Sequence, residues 1–282
     1  MQLRVTSELV YDVIMPSTFI FNIQVANYTH QKILSETVSI TPNLLTEAFS
    51  SHENSNRYLG LRVDEPQTFS IKYQAIIDIS ITTFKIKNEW QPAIPLGSSV
   101  FPYLFPSRYC ESDKLQKFAF KEFGNIVNRY EQVLAINEWI YKNIEYLNGS
   151  TNSFTSALNT ISERSGVCRD FAHLGIALCR ALSIPARYCT VYAYQLFPQD
   201  FHACFEAYIG NRWIIFDATK LVPMNAMVII NRSHDAATAS FANIFGQAFC
   251  QSIFVNCQLH INEQNFNAIN YGANTTILVA YE

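Results

Sequence analysis

The sequence has 282 residues, of which 49% are hydrophobic and 15% charged, with a formal net charge of -3. Such a chain can fill an apolar core and does not have the composition of a disordered one. No run of Lys/Arg and no basic stretch interleaved with aromatics is present, which argues against nucleic acid as the partner.

The chain opens on MQLRVTSELVYDVIMP, which lacks a basic n-region, an apolar h-region and a small-residue cleavage site. It reads as the start of a strand. No window reaches the ~18 apolar residues of a membrane helix, so no membrane partner is expected. The seven cysteines, at 110, 168, 179, 189, 204, 250 and 257, are odd in number. Without an export signal, that count fits free thiols in a reducing compartment, and a cytoplasmic location is expected.

Further along, Phe69, Ile71, Tyr73, Ala75, Ile77, Ile79 and Ile81 occupy odd positions, with Ser70, Lys72, Gln74, Asp78 and Ser80 between them. Period two places one face on a core and the other in water. Parity flips at Thr82-Thr83, since Phe84 and Ile86 are even, which predicts a bulge or tight bend. Shorter strands are expected at residues 9–14, 19–26, 37–40 and 59–63. Many short strands separated by turns predict an antiparallel β-sandwich over residues 1–100.

Pro92, Pro95, Gly97, Pro102 and Pro106 then interrupt any regular element and read as an interdomain segment. Beyond it the period becomes helical. Leu115, Phe118, Ala119 and Phe123 share one stripe, as do Val133, Asn137, Ile140 and Ile144. Alternation returns at Ile253, Val255, Cys257, Leu259 and Ile261, and residues 276–281 are β-rich. Both are expected to extend the sheet of a second domain, residues 101–282.

The chemistry concentrates around Cys168. From Phe171 the apolar residues Phe171, Leu174, Leu178 and Leu182 follow helical spacing, and Ser183-Ile184-Pro185 stops the helix. Gly166 precedes it, so Cys168 falls at or near the helix N-terminus. There, unpaired amides and the helix dipole favour a thiolate and can hold a developing oxyanion.

A thiolate needs a base or an imidazolium beside it. His173 lies about 140° around the helix from Cys168 at 3.6 residues per turn, so it points elsewhere and reads as a structural histidine. His202 is the better partner. Gly210-Asn211 is a two-residue turn signal between residues 201–209 and 212–217. That hairpin pairs Ile209 with Arg212, Tyr208 with Trp213 and Cys204 with Asp217. His202, Cys204 and Glu206 then share a face, and Asp217 lies diagonal to His202 on that same face.

A lone cysteine at a helix start is usually inert, and a strand histidine is usually structural. Cys168, His202 and Asp217 together make an activated nucleophile. Glu206 is the alternative carboxylate, and Cys204 reads as a small buried neighbour. A zinc site from Cys168, Cys179, Cys189 and Cys204 lacks paired short spacings, so no metal or other cofactor is expected.

Gly166-Val167-Cys168-Arg169-Asp170-Phe171-Ala172-His173-Leu174 resembles the nucleophile motif of bacterial transglutaminase-like proteins. Asp200-Phe201-His202-Ala203 and Phe216-Asp217-Ala218-Thr219 resemble that family's His and Asp motifs, in the same order. His234-Asp235-Ala236-Ala237 and Pro106-Ser107-Arg108-Tyr109-Cys110-Glu111-Ser112-Asp113 are similar to stretches the family carries. Cys204 departs from the family in standing where an aromatic is common, and Ala218 in standing where proline is frequent. The resemblance implies an α+β protein in which a β-sandwich precedes a papain-like, transglutaminase-like catalytic domain. Its members include transglutaminases, proteases and amidases. The function expected is therefore a thiol-dependent hydrolase acting on a peptide or amide substrate through a thioester. The alternatives are a protein-glutamine γ-glutamyltransferase and a non-catalytic binding module on the same scaffold. Hydrolysis is favoured over amine transfer because a lysine amine, with a reference pKa near ~10.4, is mostly protonated at neutral pH. Amine transfer would need a desolvated acceptor channel, for which Tyr208 and Trp213 are the aromatic candidates. The oligomeric state cannot be read from the sequence.

Overall fold

The structure, a computed structural model, describes residues 1–51, 55–85, 96–260, 266–271 and 277–281. The expectations placed on Ile86, Pro92, Pro95, Ile261 and Thr276 lie outside these residues.

The strand-rich first part comprises β1 (Gln2–Val13), β2 (Ser17–Phe21), β3 (Gln31–Thr41), β4 (Thr46–Ser50), β5 (Arg57–Val63), β6 (Gln67–Ile79) and β7 (Thr82–Lys85). Then come α1 (Ser112–Phe123), α2 (Arg129–Asn143), the two-residue β8 (Glu145–Tyr146), α3 (Ala157–Glu163), the two-residue β9 (Ser165–Gly166) and α4 (Cys168–Ala181). The chain continues through β10 (Ala186–Ala193), β11 (Phe201–Ile209), β12 (Arg212–Phe216), β13 (Met227–Ser233), β14 (Ala242–Phe245), β15 (Ala248–Leu259) and β16 (Ile277–Ala280).

β6 carries the period-two run, with Phe69, Ile71, Tyr73, Ala75, Ile77 and Ile79 all buried. The parity flip falls where the chain leaves its sheet. β6 stops at Ile79, and β7 restarts at Thr82 to pair with β16.

Three antiparallel sheets of four strands organise the molecule, in the orders β15-β1-β6-β3, β14-β2-β5-β4 and β12-β11-β10-β13. The expectation that residues 253–261 extend the second part's sheet is corrected here. β15 runs along β1, from Leu3 opposite Leu259 to Val13 opposite Ala248, and β14 runs along β2. β16 likewise joins β7 rather than the second part's sheet. Alternation reveals which face of a strand is buried, but the neighbour is chosen by which sheet edge has unpaired backbone groups to satisfy.

The third sheet is covered on both faces. One buried cluster unites Val5, Phe19, Ile71 and Tyr73 with Val191, Tyr192, Val228 and Ile230. The other packs α1, α2 and α4 against Tyr188, Ala203, Phe205 and Phe216. That is why β10, β11 and β13 read as nearly continuous apolar runs and not as alternating ones.

Side-chain amides from the first part cap the free edge of β13. Gln31 accepts from the N–H of Ile229 at 2.9 Å and donates to its carbonyl at 2.8 Å. Asn56 does the same for Arg232, at 3.0 and 2.9 Å. Each amide imitates the backbone of a missing strand, so the two parts share a core and a hydrogen-bonded seam. Among the described residues no helix is long and apolar enough to cross a membrane.

Candidate active site

Cys168 is the first residue of α4, after Val167 in extended conformation as the N-cap. Asp170, in the helix's first turn, accepts the Val167 N–H at 2.9 Å and closes the turn that presents the cysteine. Asp170 is itself fully buried and neutralised by Arg169, which donates from Nε at 3.1 Å and Nη2 at 2.9 Å. At Gly166 an added Cβ would come within 2.8 Å of the Asp170 Cβ, so this approach requires glycine.

From there α4 runs through the core, with every residue from Asp170 to Ala181 buried. It lies so close to β11 that a Cβ on Gly175 would meet the Phe205 ring at 2.6 Å. Helix and sheet are thereby held at one separation, and that separation fixes the distance from Cys168 to β11.

The hairpin has the expected register. Ile209 faces Arg212 and Tyr208 faces Trp213, through a turn in which Gly210 and Asn211 have φ of 60° and 63°. Two successive left-handed residues make the turn whose twist matches that of the strands. His202 and Asp217, each 1% exposed, meet with 3.0 Å between Nε2 and Oδ2. The Cys168 side chain lies close enough to the imidazole to raise its proton affinity. With Nε2 against Asp217, Nδ1 is the nitrogen left for the thiol.

Burial alone would push His202 down, because the charged ring loses water. The Asp217 carboxylate and the Cys168 thiol more than offset this and hold the imidazole up at about 10. The ring therefore keeps its proton at neutral pH. Asp217 is fixed in turn, since its Oδ1 accepts from the Thr219 N–H at 2.9 Å and the Thr219 hydroxyl at 2.7 Å. The three residues singled out in the sequence are thus brought together.

Other expectations separate from the site. Glu206 is fully buried between two arginines, 2.5 Å from Arg187 Nε and 2.7 Å from Arg232 Nη2. Burial would raise its carboxyl, but the two guanidiniums hold it down at about 2. Its oxygens are taken, so it is not the carboxylate that orients His202. His173 is fully buried, stacked on Tyr109 at 5.1 Å, and its Nε2 accepts the Ala236 N–H at 3.1 Å.

Tyr208 and Trp213 meet edge to face, with ring centroids 5.1 Å apart, at the turn end of the hairpin. Tyr208 lies six residue steps along the strand from His202, about 20 Å at ~3.3 Å per residue, so these aromatics do not line a channel to Cys168. Cys204 is buried beside the Met227 sulfur at 3.8 Å. Among the described residues no group of three or more His, Cys, Asp or Glu is placed to hold a metal ion.

Two contributors escape sequence reading as side chains with a task. Thr219 could have been found from the Asp-x-Thr spacing, in which an aspartate accepts from the backbone two residues on. Tyr146 gives no such signal. It lies opposite Gly166, two residues before Cys168, in the short parallel pairing of β8 with β9, and its ring leans on Phe171 of α4 at 5.7 Å.

The two segments flanking the motifs have structural work. Arg180, near the end of α4, donates to the carbonyls of Phe105, Ala186 and His234 and to the Ser107 hydroxyl. Asp235 accepts the N–H groups of Tyr109 and Ala237, each at 2.9 Å. Both segments therefore converge on the helix that carries Cys168.

Residues 116–218 match the transglutaminase-like superfamily, and residues 1–94 match the bacterial transglutaminase N-terminal domain. The crystal structure of a candidate cysteine protease from Cytophaga hutchinsonii superposes with a TM-score of 0.97 at 49% identity. That likeness covers 100% of this chain and 98% of the other. An uncharacterized protein of Mycobacterium leprae is 30% identical over 89 residues, 29% of this chain and 32% of its own length. One from Mycobacterium tuberculosis is 27% identical over 177 residues, 59% of this chain and 56% of its own. The matched region thus spans a third to a little over half of these curated relatives.

Proposed function

This chain belongs to the transglutaminase-like superfamily, and from that footing we propose that it is a thiol-dependent amide-bond hydrolase with Cys168, His202 and Asp217 as its catalytic triad. The observation that carries the reading is the buried His202–Asp217 pair at 3.0 Å, with a cysteine at the start of a helix beside its imidazole.

In the reading, the Cys168 sulfur attacks the carbonyl carbon of a peptide or amide substrate, and the π pair moves to oxygen. The Cys168 N–H, at the positive end of α4, stabilises that charge. His202 gives its proton to the departing amine, leaving a thioester. It then takes a proton from water as the water attacks, and the acid is released as the Cys168 thiolate is expelled, which restores the thiolate–imidazolium pair from which the cycle began. Asp217 keeps the ring in one orientation and offsets its charge. Structurally, the proposal treats the helix bearing Cys168 and the sheet bearing His202 and Asp217 as a papain-like catalytic unit, with the first two sheets as a sandwich beside it. A reducing, cytoplasmic setting suits a free nucleophilic thiol and belongs to the same proposal.

Water is chosen as the second nucleophile because Tyr208 and Trp213, the aromatic candidates for an amine channel, lie about 20 Å along the hairpin from His202 at ~3.3 Å per residue. The test is mass spectrometry of glutamine peptides incubated with enzyme and excess primary amine, with Cys168→Ala alongside. Cleaved or deamidated peptide is expected to dominate and to vanish in the variant. A preponderance of amine adducts would make the protein a transglutaminase. Products unchanged by Cys168→Ala, or no thiol-dependent turnover at all, would sink the triad.

A further inference from the structure

Asp217 stands one residue beyond the last laddered pair of its hairpin, Phe205 opposite Phe216. The sheet therefore sets where β12 ends, and something further must set where the carboxylate points. Its bonds to Thr219 are local, made inside the turn that Asp217 begins. The Lys220 N–H closes that turn on the Asp217 carbonyl at 3.3 Å. Bonds inside a turn fix its shape and leave its orientation to whatever it rests against.

It rests against α2. Asn137 donates from Nδ2 to the Asp217 carbonyl at 3.4 Å. Asn137 is fully buried, as are its stripe neighbours Val133 and Ile140, and its Oδ1 has no partner among the described residues. A buried amide costs free energy unless it is bonded, so the contact with Asp217 is what an asparagine gains in this apolar stripe. One residue along α2, Glu138 accepts from the Lys220 ammonium, which also lies over the Tyr141 ring at 4.3 Å. Lys220 has a φ of 55°, a left-handed conformation that a lysine keeps where its surroundings hold it. Both ends of the Asp217–Lys220 turn are thus fastened to adjacent residues of one helix.

We propose that the Lys220–Glu138 ion pair and the Asn137 amide clamp this turn to α2, and that Glu138 and Lys220 are positioning residues that hold the Asp217 carboxylate against His202. The proposal rests on the triad reading above. The Lys220 and Glu138 side chains are 17% and 23% exposed, and an ion pair that water can reach adds little to stability. Its value is geometric, because a misplacement of ~1 Å in a reacting constellation costs up to ~10² in rate. The clamp therefore shows in turnover far more than in melting.

The experiment follows steady-state hydrolysis of p-nitrophenyl acetate, in which His202 must take a proton from water to release the acyl group. Wild type is compared with Lys220→Met, Glu138→Gln, the double variant and Lys220→Arg. Each neutral single variant is expected to lower kcat by ~10–100-fold, with KM changed by no more than about threefold. The melting temperature should move by no more than about 4 °C. The double variant should lose no more than the worse single one, because one clamp is broken once. Lys220→Arg keeps the charge and the ring contact, and should bring kcat back to within about threefold of wild type. A wild-type kcat in either neutral variant would overturn the proposal. So would losses that multiply in the double variant, since the two residues would then act separately. Lys220→Arg no better than Lys220→Met would overturn it as well, because charge would not be what holds the turn. A large drop in melting temperature with kcat per folded molecule unchanged would make the pair structural. Failure of the parent reading shows separately, as hydrolysis by wild type that Cys168→Ala does not diminish, and the clamp then has no triad to serve.

Discussion

The two ends of the β11–β12 hairpin place a carboxylate in the same fully buried setting and give it opposite fates. Near the turn, Glu206 is clamped by Arg187 and Arg232, with Tyr28 and Trp213 lying against those guanidiniums. At the open end, Asp217 gives one oxygen to Thr219 and the other to a histidine that can gain or lose a proton. Permanent charges on Arg187 and Arg232 leave Glu206 nothing to exchange, so it stabilises. A titratable partner makes Asp217 useful. Residue type and burial are alike in the two places, so the neighbours set the role.

The sharpest way to break that contrast is to replace each carboxylate by its amide. Asp217→Asn is expected to fold normally and lose ~10⁴ in turnover, the loss that the same change causes in a serine protease triad, since an amide can invert the histidine tautomer. Glu206→Gln is expected to keep turnover within a few-fold. Its cost should fall on stability, about 3–5 kcal/mol in urea unfolding, because two buried guanidiniums lose their counter-charge. If the two variants exchanged phenotypes, the assignment of roles along the hairpin would be wrong.

A finer probe is Thr219→Val, which deletes one of the two donors to the Asp217 Oδ1. A hydrogen bond to a charged group is worth ~1.5–3 kcal/mol, and about half of that reaching the barrier would lower kcat roughly tenfold. A kcat equal to wild type would show that the backbone N–H alone holds the carboxylate.

The last probe is pH. The His202 pKa is raised from its ordinary 6.5 to about 10 in the folded state, so folding favours the protonated ring. That contribution is complete below pH 6.5 and is lost as pH rises through 10. The stability gap between wild type and Asp217→Asn in urea titrations should be widest near pH 6 and shrink toward pH 10. A gap that widened with pH would contradict the charged pair.

What the sequence makes legible follows the range of the interactions. The Gly210-Asn211 turn fixes its own strands, so the meeting of His202 with Asp217 can be read from the residues alone. Gly166 and the stripe from Phe171 likewise place Cys168 at a helix start. The pairing of β15 with β1 is not legible, because the two runs carry the same alternation as any half-buried strand. Tyr146 is hidden for a related reason. It comes beside α4 through a two-residue bridge too short to leave a periodic mark. The tie between the segments around Ser107 and His234 passes through Arg180, and an arginine inside an apolar helix does not announce its acceptors.

The return of β15 to the far edge of β1 bears on synthesis at the ribosome. β1 leaves first, yet one of its two neighbours in the finished sheet is residues 248–259. At about 5–20 residues per second, that partner follows by roughly 10–50 s. Through this interval β1 carries an open row of amides and carbonyls next to Leu3, Val5 and Leu9, a template for pairing with a neighbouring nascent chain. The late strand therefore shields the early one from other copies of the protein, and crowded polysomes are where its absence would be felt.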